Sequence, residues 1–238
     1  MDTRAQRIAA DNFAGCRICS GCGIGLFGEL SGAELKRAGT LQVAEITARP
    51  GDVLYRQGDA CEAVFVVRSG LLKLEQFTPG GRRRIVRLAH AESALGLEGL
   101  VQPQAEHEAV VLKDAELCRI PVDAMARLMD ESPNFRQRIM ALWHENVVEA
   151  DVWLTQLSTG CARIRMARFL LMLAGGRPGG FEILSREDIG AALGITTETA
   201  SRTIAEFRRS GLLTGLGARM FAANVEGLRA LAWKAEDD

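Results

Sequence analysis

Apolar residues recur in short alternating bursts through the first half of the chain and at helical spacing through the second. The runs Val43-Ala-Glu-Ile-Thr47, Val53-Leu-Tyr55, Ala63-Val-Phe-Val-Val-Arg68, Leu71-Leu-Lys-Leu-Glu75 and Arg84-Ile-Val-Arg-Leu88 read as strands. Pro50-Gly-Asp52, Gln57-Gly-Asp59, Ser69-Gly70 and Pro79-Gly-Gly81 divide them. Two more bursts follow, Ala109-Val-Val-Leu112 and Ala115-Glu-Leu-Cys-Arg-Ile-Pro121. Turn signals at this spacing predict a small antiparallel barrel or sandwich. A short capped helix is expected ahead of it, at Ser31-Gly-Ala-Glu-Leu-Lys-Arg-Ala38.

Beyond Pro121 the period changes to that of a helix, expected over residues 126–158. Met140, Trp143, Val147, Ala150, Leu154, Leu157 and Cys161 follow one another at alternating steps of three and four. Such a stripe zips against an identical helix of a second chain, or packs a helix on its own β domain. Charges on both flanks, suited to solvent, favour the seam of a homodimer. Glu145, Glu149 and Asp151 would repel their symmetry mates, which makes such a dimer adjustable.

A further helix runs from Arg163 to Ala174. Ser185 then caps a short helix that ends at Gly194, and Thr196 or Thr197 caps a second, Glu198 to Ser210, stopped by Gly211. Leu212-Leu-Thr214, the Gly215-Leu-Gly217 turn and Arg219-Met-Phe221 supply a hairpin. Together these form a helix-turn-helix with a wing. On the second helix Glu198, Ser201 and Arg202 share a face, while Ala200, Ile204 and Phe207 suit a core. Arg forks onto guanine, Glu accepts from cytosine N4, and Ser takes either edge. Thr196, Thr197 and Arg208 are candidate backbone contacts beside them. The partner expected is double-stranded DNA.

Composition narrows the class without naming it. The chain has 238 residues and a net charge of −1, so no global basic field announces nucleic acid. Residues 160–238 carry 11 Lys/Arg against 9 Asp/Glu, a net of +2. No apolar run approaches the roughly 18 residues of a membrane span, and the N-terminus lacks the apolar core of a signal peptide. A cytoplasmic protein with reduced thiols is expected, with no membrane partner. No nucleophile–base motif or phosphate-cradling loop is visible, so the chain does not read as an enzyme.

Six cysteines in such a compartment point to metal or redox chemistry rather than disulfides. Three of them, Cys16, Cys19 and Cys22, form a C-x₂-C-x₂-C run, and Cys118 stands far downstream. Four thiolates suit a [4Fe–4S] cluster, with the x₂ spacing serving different corners of one cube. They also suit tetrahedral zinc, although zinc sites usually repeat the C-x₂-C pair or add a His pair.

The order of parts resembles the Crp/Fnr transcription regulators over nearly the whole chain. The residues that carry the likeness are Glu198-Thr-Ala-Ser-Arg202, similar to the E-x-x-S-R of the Fnr branch, the phrase Arg68-Ser-Gly-Leu-Leu-Lys73, and the cysteine set. The resemblance implies an α+β fold in four parts. These are a cysteine-rich sensor arm (1–26), a cyclic-nucleotide-binding-like β-roll (27–125), a dimerisation helix (126–158) and a winged helix-turn-helix (159–238). It implies an oxygen-labile [4Fe–4S] cluster on Cys16, Cys19 and Cys118. Cys22 departs from the commonest Fnr spacing and rests on coordination chemistry. It further implies a TTGAT-type pseudo-palindrome as target and RNA polymerase as partner, touched by a loop near Pro79-Gly-Gly-Arg-Arg-Arg84. Cyclic AMP is an improbable ligand, because Gly96-Leu-Glu98 and Glu106-His-Glu108 stand where cAMP binders place an Arg–Ser pair for the phosphate. Two other readings remain open from the sequence: a regulator of this fold sensing nitric oxide or another signal, and a zinc-stabilised DNA-binding regulator.

Overall fold

The computed structural model describes Leu26, residues 43–175 and residues 180–233. Cys16, Cys19, Cys22 and the helix expected at residues 31–38 lie outside those residues. The chain divides into two compact units, residues 1–76 with 86–148, and residues 77–85 with 149–238.

The first unit is built on an antiparallel sheet. Its strands are β1 (Ala44–Ala48), β2 (Val53–Tyr55), β3 (Ala63–Phe77), β4 (Arg83–Ala89), β5 (Ala94–Leu95) and β6 (Glu108–Pro121). Their order is β1-β6-β3-β4, with β2 on β6 and β5 on β3. Two turns share one device: an aspartate folds back onto the backbone N–H three residues earlier. Asp52 Oδ2 accepts from Arg49 at 2.7 Å, and Asp59 Oδ2 from Arg56 at 2.8 Å.

Two expected breaks are continuous strand. Ser69-Gly70 does not end a strand; it lies inside β3, where the register against β6 slips. Gly70 has φ of +102°, and a Cβ there would meet Ala115 at 2.6 Å. The glycine therefore serves a bulge and a close approach of two strands rather than a turn. The bursts at 109–112 and 115–121 likewise join as β6.

The sheet buries both faces. One side packs Ile46, Phe65, Val67, Leu72, Leu74, Leu95, Val111 and Leu117. The other packs Val64, Ala94, Leu97 and Ile120 with Leu26 and with Met125, Leu128, Phe135, Ile139 and Leu142. These last five lie on α1 (Val122–Glu131) and α2 (Pro133–Val152). The long helix expected from residue 126 thus begins afresh at Pro133. Ser132 accepts from Phe135 N–H at 3.1 Å and caps α2, with proline in the first helical position. At its other end the helix widens into a π turn over Trp153–Leu157. There the Thr155 hydroxyl bonds back to the Asp151 carbonyl at 2.7 Å, and that of Thr159 bonds to the Thr155 carbonyl.

The second unit contains α3 (Ala162–Ala174), β7 (Phe181–Glu182), α4 (Arg186–Leu193), α5 (Thr197–Arg209), the hairpin β8 (Leu213–Gly217) and β9 (Met220–Ala223), and α6 (Val225–Ala232). Helix α3 is its hub. Arg165 Nη1 donates to the Leu193 carbonyl at 2.6 Å, closing the C-terminus of α4. Arg168 Nε donates to the Ala232 carbonyl at 2.9 Å, and its guanidinium lies 5.1 Å from the Trp233 ring centre. Among the described residues no helix is long and apolar enough to cross a membrane.

Phe135 is fully buried where the helices meet the sheet. Phe135→Ala should destabilise the protein by about 3–5 kcal/mol in urea unfolding followed by circular dichroism; a change below 1 kcal/mol would contradict the packing described. Gly190 sits where a Cβ would lie 2.8 Å from the Ile195 carbonyl oxygen, in the turn between α4 and α5. Gly190→Val should cost roughly 1–3 kcal/mol by overpacking, read from the same unfolding curves.

Candidate nucleic-acid interface and sensor face

Helix α5 owes its orientation to its buried side. Ala200, Thr203, Ile204 and Phe207 are buried, so Glu198, Ser201 and Arg202 face outward and all three are exposed. Of the two candidate caps, Thr196 is the one used: its Oγ1 accepts from Thr199 N–H at 3.1 Å. Thr197 is the first helical residue, and both threonines are exposed. The tight link back to α4 comes from Gly194 at φ +65° and the Ile195 N–H bonded to the Gly190 carbonyl at 3.0 Å. Ser185 caps α4 by accepting from Asp188 N–H at 3.0 Å. The result is a short helix, a tight turn, and a second helix with its N-terminal polar face open.

Charge around this face is uneven. Arg208 and Arg209 are exposed in the last turn of α5. Arg163 pairs with Glu206 at 2.9 Å. Arg83, which groups with this unit, lies 3.0 Å from Glu187 and 3.2 Å from Asp188. Sequence reasoning does not single out Arg186. Its pKa is lowered by burial first, and then by the positive charges of Arg219 and Arg208. A sequence signal existed only in the spread of arginines over three separate elements, and nothing in their spacing brings them together.

Helix α2 is apolar on two sides. Phe135, Ile139 and Leu142 face the unit's own core. Met140 is 66% exposed, Val147 57%, Leu154 65% and Trp143 37%. Ala150 is exposed as well. Five of the six candidate seam residues thus form one open stripe. Leu157 departs from them: it is buried at the end of the π turn. Cys161 lies beyond that turn, at the cap of α3.

Cys118 is buried on β6. It stands opposite Val66 on β3 and Glu45 on β1, two residues from Ile120, which stands opposite Val64. Residues in register on neighbouring strands share a face, so the thiol belongs to the side that packs Val64, Ile120 and Leu26. Leu26 follows Cys22 by four positions. Among the described residues no three His, Cys, Asp or Glu side chains lie close enough to hold a metal ion. Cys61 lines a separate cavity of about 160 Å³ with Tyr55, Phe65, Gly96 and Arg119. Burial raises its thiol pKa, and Glu98 and Glu106 add to that. Glu98 lies on the turn after Gly96, 4.0 Å from His107 Nδ1. Burial works to raise its pKa, but the hydrogen bond and charge of His107, together with backbone hydrogen bonds at Glu98 and Glu106, hold the carboxyl below its usual range.

Comparison with known proteins agrees with both halves. Residues 45–132 match the cyclic nucleotide-binding domain, and residues 164–231 match the Crp-like helix-turn-helix domain. The chain is 31% identical to the transcriptional activator protein anr of Pseudomonas aeruginosa, over 77% of this chain and 78% of that one. It is 29% identical to the transcriptional activator protein FnrA of Stutzerimonas stutzeri, over 97% of this chain and 98% of the relative. Among solved structures, FixK2 from Bradyrhizobium japonicum superposes with a TM-score of 0.73 at 24% identity, covering 79% of this chain and 96% of that one. The outward polar face of α5, the β-roll and these relatives lead to one statement: the chain belongs to the Crp/Fnr family of transcriptional regulators, and it is a DNA-binding regulator rather than an enzyme.

Proposed function

We propose that this protein is a homodimeric regulator whose grip on a TTGAT-type pseudo-palindrome is controlled by a [4Fe–4S] cluster held on Cys16, Cys19, Cys22 and Cys118. The observation that carries the reading is the shared apolar face: Cys118, Leu26 and the inner side of α2 all lie on one side of the β-roll. A thiol there reaches a ligand brought by the arm, and any change in how that arm sits is felt by the helix that carries the seam. A buried thiolate on an apolar surface also suits a soft metal centre. When bound, the cluster supplies an oxygen-labile tie between the arm and Cys118.

The protein's own residues do the rest. Met140, Trp143, Val147, Ala150 and Leu154 offer the open stripe for a second copy, since large apolar side chains in a row on a surface are costly left in water. Leu157, buried in its own unit, is left out of that seam. Pairing two copies sets two α5 helices about one turn of DNA apart. Glu198, Ser201 and Arg202 then read base edges, with Thr196, Thr197 and Arg208 beside the phosphates. Loss of the cluster shifts the balance between dimer and monomer, and DNA binding falls with it. The Glu98 carboxylate, charged and set in the loop that meets phosphate in cyclic-nucleotide binders, argues against cyclic AMP as the ligand.

Anaerobic purification followed by iron and sulfide analysis tests the cofactor. Expected are about four irons and four sulfides per chain, a broad visible absorbance lost in air, and little iron in Cys118→Ala. Colourless protein with one zinc per chain would overturn the reading. For the base contacts, Glu198→Ala or Arg202→Ala should cost roughly 1–3 kcal/mol on the palindrome while sparing scrambled duplex. Equal losses on both duplexes, measured by fluorescence anisotropy, would show that these side chains do not read bases.

A further inference from the structure

The end of α2 is wound in a way that its own chemistry does not favour. From Glu149 onward this part of the chain belongs to the second unit. Over Trp153–Leu157 the helix opens into a π turn, a rare form that holds one residue more than an α turn. Trp153 packs edge-on against Phe169 of α3, with ring centres 6.4 Å apart, yet its buried indole N–H has no hydrogen-bond partner among the described residues. A buried donor left unpaired is a cost. Contacts from other elements must therefore hold the turn in place.

One guanidinium supplies such a hold. Arg168, half-buried on α3, donates through Nη1 to the Gln156 carbonyl at 3.1 Å and to the Thr159 carbonyl at 3.3 Å. Its Nε donates to the Ala232 carbonyl at the end of α6, at 2.9 Å. Carbonyls at a helix end lack partners within the helix and carry the negative end of its dipole. A planar cation with five N–H groups serves several of them at once, which the single ammonium of a lysine does not. Trp233 adds an aromatic face 5.1 Å from the same guanidinium, although it is itself 59% exposed. The same stretch of α3 also reaches the reading machinery. Arg165 closes the end of α4 through the Leu193 carbonyl, and Arg163 pairs with Glu206 of α5 at 2.9 Å.

We propose that Arg168, steadied by Trp233, is a positioning residue for DNA recognition: it fixes the path from the end of α2 to α5, and with it the half-site separation that a dimer accepts. This rests on the reading in which α2 pairs two copies and α5 enters the major groove. Arg168 contacts no base in this role and acts through the π turn. Freed of its carbonyl bonds to Arg168, the turn relaxes toward α winding. Removing one residue from a turn rotates what lies beyond it by about 100°. Each base pair between half-sites offsets them by about 3.4 Å and 34° on B-DNA. An α5 whose path is no longer fixed therefore stops selecting one spacing.

The test uses the full chain, purified anaerobically and titrated by anisotropy with TTGAT palindromes whose central spacer changes one base pair at a time. Wild-type protein should favour one spacer sharply. Arg168→Gln should lose that preference while keeping its discrimination between TTGAT and scrambled half-sites. Trp233→Leu, a change at an exposed position, should blunt the preference in the same direction and carries the test if Arg168→Gln does not fold. Leu228→Ala, which empties a buried site on α6, should lower the melting temperature and leave the spacer preference intact. Hydrogen exchange should quicken over residues 153–159 in Arg168→Gln and stay level over α5. The positioning role is wrong if the folded variants keep the wild-type spacer profile, if Leu228→Ala flattens it as much as Arg168→Gln, or if exchange over 153–159 is unchanged. Wild-type protein with no spacer preference would instead overturn the dimeric major-groove reading itself.

Discussion

One apolar contact organises this molecule: the packing of Leu26, Val64, Ile120 and Phe135 between the outer face of the β-roll and the helices that follow it. Three parts of the chain that differ in sequence and in chemistry meet there. The arm contributes Leu26, the sheet contributes the face that also bears Cys118, and α2 contributes Phe135, Ile139 and Leu142. Packed interiors respond to a displaced side chain by shifting neighbours, because they hold no spare volume. A displacement at Cys118 therefore has a packed route to α2 that needs no moving loop.

Helix α2 turns that contact outward. With one side committed to its own core, it still carries Met140, Trp143 and Val147 in the open, and Leu154 continues the stripe into the π turn. A helix apolar on two sides is satisfied only when both are covered. Charged residues such as Glu145 stand beside the stripe. In the second unit the logic is different. Arg165 and Arg168 of α3 tie down the end of α4 and the end of α6 through backbone carbonyls. That rigid frame leaves the polar face of α5 free to meet DNA and fixes the spread of cations beside it.

Most of the architecture was legible from local pattern. The strands, the Ser185 cap, the Gly194 turn and the buried set Ala200, Ile204 and Phe207 follow from periodicity and capping chemistry, which act over a few residues. The misreadings have local causes too. Ser69-Gly70 has the composition of a turn, yet the facing strand comes so close at Ala115 that the glycine serves a bulge inside β3. Ser132-Pro133 lies inside a helical pattern, and its capping bond to Phe135 starts a new helix there. Leu157 fits the seam by spacing, but the π turn rotates it inward.

What the sequence by itself determined is the family-like order of parts, the cysteine inventory and the outward polar face of α5, which follow from local spacing along the chain. Only the tertiary structure decided which side of the sheet Cys118 shares with Leu26 and which side of α2 stays open. Each of these is a relation between segments far apart along the chain. Strand register and helix packing set such relations, and the competition for burial that fixes them is settled over the whole chain at once.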